Sequence, residues 1–198
     1  MNWIENHIIK LFKKLGIREG MKILDFGCGS GNYTIPIALI VGNRGVVYAI
    51  DKEDRGYWPG EGLNELRERI SRYGLVNVTV IKTKGELRLP LSSNSIDFAL
   101  LFDVLHTYYF PTSAQRIKLI REIHRVLKPG GCLLYYPGDP EVFHNVYEID
   151  TIKAEIVSQH FTLLSVHEDL LIHENNLVKG HVYKYVKPLA KSRKIRVT

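Results

Sequence analysis

The feature that most constrains this chain is a series of short, bounded apolar runs separated by segments of helical period. Met21–Phe26, Val46–Ile50, Val76–Ile81, Ile96–Phe102 and Cys132–Tyr136 are too short for helices and are set off by Gly, Pro or polar residues. That is the pattern of strands buried on both faces. Between them lie Asn32–Val41, in which Pro36 is tolerable only near the first turn, and two apolar stripes at steps of three and four. The stripes are Leu63, Leu66, Ile70 and Tyr73, and then Ile117, Ile120, Ile123 and Leu127. Lys128-Pro129-Gly130-Gly131 is expected to end the second helix, since Pro cannot continue it and Gly accepts positive φ.

Ile4, Ile8, Leu11, Phe12 and Leu15 predict a lead-in helix within residues 1–18, closed by Gly16. Ile149–Gln159 reads as a last helix, with Phe161–Val166 and His181–Val186 as two final strands joined by the polar stretch His173–Gly180. Strands alternating with helices predict an α/β fold of three layers. A mostly parallel seven-stranded sheet would carry helices on both faces and end in an antiparallel hairpin. Ligands bind such sheets at the carboxyl ends of the strands.

At 198 residues one domain is expected, spanning 1–186, and 45% apolar with 24% charged residues excludes disordered, collagen-like and coiled-coil classes. The apolar stretch Ile35–Val41 is broken by Pro36 and falls far short of the ~20 residues of a bilayer helix. Glu5, His7 and Lys10 do not fit a signal peptide, so the expected location is cytoplasmic. Cys28 and Cys132 alone suit a reducing compartment and supply no ligand set for a metal. The net charge of +6 is concentrated at the end, where Lys187, Lys191, Arg193, Lys194 and Arg196 have no acidic neighbours and leave residues 1–186 at about +1. The segment 187–198 therefore reads as a solvated basic tail, and nucleic acid as an unfavoured partner. Nothing in the pattern fixes an oligomeric state.

Asp25-Phe26-Gly27-Cys28-Gly29-Ser30-Gly31-Asn32 joins the first strand to the next helix. Glycines there let the backbone turn sharply and approach a ligand at a helix N-terminus. A dinucleotide fingerprint wants Gly or Ala where Asn32 stands, so NAD fits poorly. Asp25 beside the turn would repel a phosphate and favour an ammonium or sulfonium group. Asp51, closing the second strand, is placed to accept hydrogen bonds from both hydroxyls of a ribose, or else caps its own turn.

Together these features resemble the class I methyltransferases that use S-adenosylmethionine, in the small "type 11"-like subgroup. Leu89-Pro90 with Asn94-Ser95-Ile96-Asp97-Phe98, and Arg125-Val126-Leu127-Lys128-Pro129-Gly130-Gly131, are similar to two further motifs of that family. The resemblance spans Gly20–Tyr136 and implies a Rossmann-like fold, with S-adenosylmethionine as cofactor and S-adenosylhomocysteine as product. It implies cofactor contacts at Asp25, Phe26, Gly27, Cys28, Gly29 and Gly31, then at Asp51 and Lys52, and last at Phe102 and Asp103. Where the family often carries Asp-Ala before Leu-Pro, this chain has Lys84-Gly85-Glu86-Leu87-Arg88, so Glu86 and Leu87 are the candidates for the adenine side.

Methyl transfer needs an aligned nucleophile and, where that nucleophile carries a proton, a base. His106 follows the fourth strand by a few residues and is the candidate catalytic base, or else a packing histidine. Asp103 either orients the ligand or caps the loop. The Phe102-Asp103-Val104-Leu105 stretch lacks the Asn-Pro-Pro-Tyr pattern of enzymes that methylate base or glutamine amino groups, and neither cysteine is placed for pyrimidine attack. Tyr33, Tyr57, Trp58, Tyr108 and Tyr109 supply either an aromatic substrate wall or core. The expected acceptor is a small molecule whose oxygen, nitrogen or sulfur is the nucleophile. The alternatives are an RNA or protein acceptor engaged by the tail, and a noncatalytic S-adenosylmethionine-binding subunit.

Overall fold

The structure, a computed structural model, describes residues 3–55, 62–138, 146–173 and 176–189. Seven strands form one sheet in the order β3-β2-β1-β4-β5-β7-β6. They are β1 (Lys22–Phe26), β2 (Val46–Asp51), β3 (Val78–Lys82), β4 (Ile96–Phe102), β5 (Leu127–Tyr136), β6 (Thr162–His173) and β7 (Asn176–Val186). The ladders linking β1 to β5 are parallel, and β7 pairs antiparallel with both β5 and β6. The order reverses between β1 and β4, which opens the crevice there.

The helices are α1 (Trp3–Leu15), α2 (Thr34–Val41), α3 (Gly62–Arg72), α4 (Ser113–Val126) and α5 (Val146–Ser158). The alternation along β4 shows how they divide. Phe98, Leu100 and Phe102 pack in a core with Ile8, Leu11 and Phe12 of α1 and Ile37 of α2. Ala99 and Leu101 pack on the opposite face with Leu119 and Ile123 of α4 and Ile152 and Ile156 of α5. Both faces of the central strands are thus dry, which is why their sequences read as largely apolar runs. Pro36 is the third residue of α2, within the turn whose N–H groups need no partner.

Two expectations are corrected. Lys128-Pro129-Gly130-Gly131 does not end α4, because the helix stops at Val126 and Leu127 is already extended. The four residues open β5 instead. Gly130 takes φ +80°, and a Cβ on Gly131 would stand 2.9 Å from the Lys128 carbonyl and 3.1 Å from that of Asp97. The glycines serve an irregular start of pairing, where the β4–β5 register shifts between Ile96 and Phe98. The terminal hairpin is also longer than the two short runs foretold. Asp169↔Gly180 and His173↔Asn176 are ladder pairs, so most of the stretch read as a connection is strand. The backbone of Lys187 accepts from the Gly130 N–H and donates to the Gly131 carbonyl, and its Nζ donates to Asn94 Oδ1, His124 O and Leu127 O at 2.7–2.8 Å. It therefore belongs to the domain, and the tail beyond residue 189 lies outside the described residues.

Candidate active site

The crevice floor is the turn after β1. Gly27, Gly29 and Gly31 have φ of +77°, +49° and +83°, all in the region that favours glycine. Space separates their roles. A Cβ on Gly27 would lie 2.7 Å from Val104 Cγ2 and one on Gly31 would run into Leu66, whereas one on Gly29 would meet nothing within 4 Å. Gly27 and Gly31 are therefore packing glycines, and Gly29 presents bare backbone to open space. Arg69 of α3 clamps the turn from behind, its Nη1 donating to Ser30 O at 3.0 Å and Asn32 Oδ1 at 2.9 Å.

Asp25 and Asp51 flank this turn. Asp25 is 3% exposed and accepts the Thr34 hydroxyl at 2.5 Å, tying β1 to the first residue of α2. Burial pushes its carboxyl up to about 6, the Thr34 bond opposing and the charge of Asp51 adding. Asp51 accepts the Gly29 N–H on Oδ2 at 2.8 Å, and those of Lys52 and Glu53 on Oδ1 at 2.7 and 3.2 Å. It caps its own turn and holds Gly29, the second of the two alternatives read from sequence. Cys28 is buried, which drives its thiol well above the usual range and leaves it inert.

Elsewhere the expected contacts are placed less directly. Lys52 is exposed, Leu87 packs at the edge of the α4–α5 core together with Phe26, and Glu86 is exposed with its carboxylate accepting the Lys84 N–H at 2.7 Å. That bond and the one to its own backbone N–H hold Glu86 below the usual carboxylate range. Phe102 is core, with ring centroids 4.8 Å from Tyr33 and 5.8 Å from Phe12 and Tyr136. The motif residues Asp97 and Arg125 are structural. Asp97 receives the Lys22 N–H and Lys128 Nζ, and Arg125 ties the Leu89 and Leu91 carbonyls to Glu122.

On the acceptor side Asp103 and His106 do come together. Asp103 adopts φ +54° at the end of β4, and His106 Nε2 lies 4.0 Å from its Oδ1. His106 is 5% exposed rather than open at the mouth, its ring 4.8 Å from Tyr109. Burial lowers its pKa, against the charges of Asp103 and Glu148, and keeps it neutral near pH 7. Tyr108 and Tyr109 are exposed beside it, and Tyr57 and Trp58 lie outside the described residues. Tyr33 is no wall. It is buried, and its hydroxyl donates to Ile172 O and accepts from Ile172 N. His173, which sequence reasoning missed, binds Asp103 Oδ2 through Nδ1 at 2.5 Å. It stands in a stretch read as a polar connection, and only the β6–β7 ladder brings it to the crevice.

A family model described as a methyltransferase domain matches residues 17–186. The chain belongs to the class I S-adenosylmethionine-dependent methyltransferases. It is similar to a solved S-adenosylmethionine-dependent methyltransferase from Aquifex aeolicus, with 28% identity, a TM-score of 0.69, and 90% and 89% of the two chains covered. A probable cobalt-precorrin-6B C(15)-methyltransferase of Saccharolobus solfataricus is 38% identical over 45% of this chain and 41% of its own length. A demethylmenaquinone methyltransferase of Geobacillus stearothermophilus is 30% identical over 61% of this chain and 47% of its own length. The chain thus spans less than half the length of these two curated relatives. Among the described residues no helix is long and apolar enough to cross a membrane.

Proposed function

We propose that this protein transfers a methyl group from S-adenosylmethionine to a small-molecule acceptor. The observation that carries the reading is the open face of Gly29 between two carboxylates, Asp25 and Asp51, at the reversal of the sheet order. The residues present fit the cofactor: bare backbone for close approach, Asp51 with one acceptor site left on Oδ2 for a ribose hydroxyl, and Asp25 for positive charge. Glu86 and Leu87 would serve the adenine side, with Phe26, Cys28, Lys52, Phe102 and Asp103 contributing mainly backbone and shape. When bound, the cofactor supplies a methyl group already activated by its sulfonium.

The chain's own part is to align the acceptor and receive its proton. His106, neutral near pH 7, takes that proton beside Asp103, whose carboxylate offsets the positive charge that arrives with it. The exposed rings of Tyr108 and Tyr109 offer an aromatic flank to the acceptor. One relative is named for methylating a carbon, so an activated carbon joins oxygen, nitrogen and sulfur as the attacking atom. Calorimetry with S-adenosylmethionine, S-adenosylhomocysteine and NAD tests the reading. Micromolar binding of the two sulfur ligands without NAD binding is expected, and tight NAD binding with no response to either would end it.

A further inference from the structure

β6 is antiparallel to β7 and therefore runs in the direction of β1–β5, so its last residue emerges on the same rim of the sheet as the crevice. Two consecutive residues there reach the two loops of the site. Ile172 exchanges two backbone hydrogen bonds with the hydroxyl of Tyr33, just past the glycine turn. His173 binds Asp103 at the end of β4.

The His173 contact has a definite chemical sense. Its side chain is 10% exposed, and its Nε2 is buried and meets no hydrogen-bond partner among the described residues. A carboxylate only accepts, so the contact puts a proton on Nδ1, donated to Asp103 Oδ2. Nε2 is covered and is not presented to an acceptor, so the ring acts through Nδ1. Asp103 meanwhile sits in left-handed backbone that its short polar side chain tolerates, with its N–H donating to Tyr136 O at 2.9 Å. Both backbone and carboxylate are held, and the remaining oxygen, Oδ1, faces His106.

We infer that His173 is a positioning residue, fixing one oxygen of Asp103 so that the other sets the charge balance of His106. The inference rests on the proposed role of His106 as proton acceptor and deepens it. Among the described residues, those facing His106 include Asp103 just past β4, Glu148 from α5, His173 from β6, and Tyr108 and Tyr109 from its own loop. Glu148 also accepts the Thr107 N–H at 2.5 Å and so steadies the same loop. By drawing on the charge of Asp103, His173 keeps the carboxylate from raising the proton affinity of His106 so far that the ring is already charged, yet leaves enough charge to stabilise the ring once it takes the acceptor's proton.

The test is a pH titration of the imidazole nitrogens by ¹⁵N NMR on the free, full-length protein, which needs no acceptor. His173 should show a proton on Nδ1. His173→Asn, whose amide N–H lies close to the position of Nδ1, should keep the His106 midpoint near that of the parent. His173→Leu should move it to higher pH, because the carboxylate regains its full charge. Asp103→Asn should move it to lower pH, and Asn tolerates φ +54°, so the backbone survives this change. An unchanged midpoint in Asp103→Asn, or a His173→Asn protein that titrates unlike the parent, overturns the inference. These two arms decide the matter even where His173→Leu fails to fold. The catalytic role of His106 is read separately, from turnover of His106→Ala, so the two ideas fail by different measurements.

Discussion

Asp25→Asn should make this protein more stable and a poorer binder, and the structure supplies the magnitude. Burial holds the Asp25 carboxyl at about 6 against an ordinary 3.8. As pH rises from about 4 to 6 the unfolded chain gives up this proton before the folded one does. The folded state then binds more protons, and stability falls with pH across that window. At ~1.4 kcal/mol per pKa unit, the charged carboxylate costs the fold about 3 kcal/mol above pH 6, once both states have ionised. Asn removes the charge and keeps an oxygen for the Thr34 hydroxyl, but it adds an amide N–H that needs a partner, a loss of ~1 kcal/mol or more.

The net expectation is a gain of ~1 to 2 kcal/mol at pH 7.5, or a few degrees in midpoint for a chain of this size. The gain should disappear near pH 4, where the parent is itself neutral. Urea denaturation at pH 4, 5, 6 and 7.5 measures it. Calorimetry on the same variant should show weaker S-adenosylmethionine binding, by ~1 to 2 kcal/mol for one lost charge contact in a partly screened crevice. Equal weakening for S-adenosylhomocysteine assigns the contact to the ammonium, and weakening of S-adenosylmethionine alone assigns it to the sulfonium. A variant no more stable than the parent at pH 7.5, with the same slope between pH 4 and 6, would refute the claim that a charge is buried here at a cost.

Asp51→Ala should weaken cofactor binding by ~1 to 3 kcal/mol and, because three backbone N–H groups lose their acceptor, lower stability as well. Normal affinity in calorimetry would reduce the residue to a turn cap. Gly29→Val should abolish binding by filling the open space above the turn, and unchanged affinity would remove the ligand from that position. His106→Ala should leave cofactor affinity within about twofold and lower turnover by ~10². Full turnover would show that alignment alone drives transfer, and loss of affinity or of folding would assign the buried ring to the core.

How much of this was legible in the sequence depended on how many faces each segment buries. β1, β2 and β4 are covered on both sides, so most of their residues are apolar and the run itself marks the strand. β6 is a sheet edge with most of its residues exposed or half-buried. Its long ladder rests on backbone pairing with β7, which leaves no alternation for a reader to find. Lys128-Pro129-Gly130-Gly131 misled for another reason. Pro and Gly forbid a helix there, but they do not say that the chain must turn, and here it runs extended beside β4. In the site, the glycine turn and its two acids are within 27 residues and carry their chemistry openly. His173 is separated from Asp103 by 70 positions, and only the fold reveals the pair.

The two acids also explain why shape alone does not decide the ligand. A glycine turn at the reversal of a parallel sheet is equally suited to a pyrophosphate, whose charges would be drawn to the N-terminus of α2. In this chain Asp25 and Asp51 already occupy that field, and Asp25 is held near 6 chiefly by burial, with the charge of Asp51 adding to it. Adding a pyrophosphate would deepen a repulsion that in a crevice is worth ~1 kcal/mol or more per close pair, whereas a cation relieves it. The free protein therefore holds an unfavourable charge that only a positive ligand offsets. With the cofactor placed as proposed, selection between S-adenosylmethionine and a dinucleotide would be made by the sign of the ligand's charge at one buried carboxylate, on a turn whose backbone would admit either.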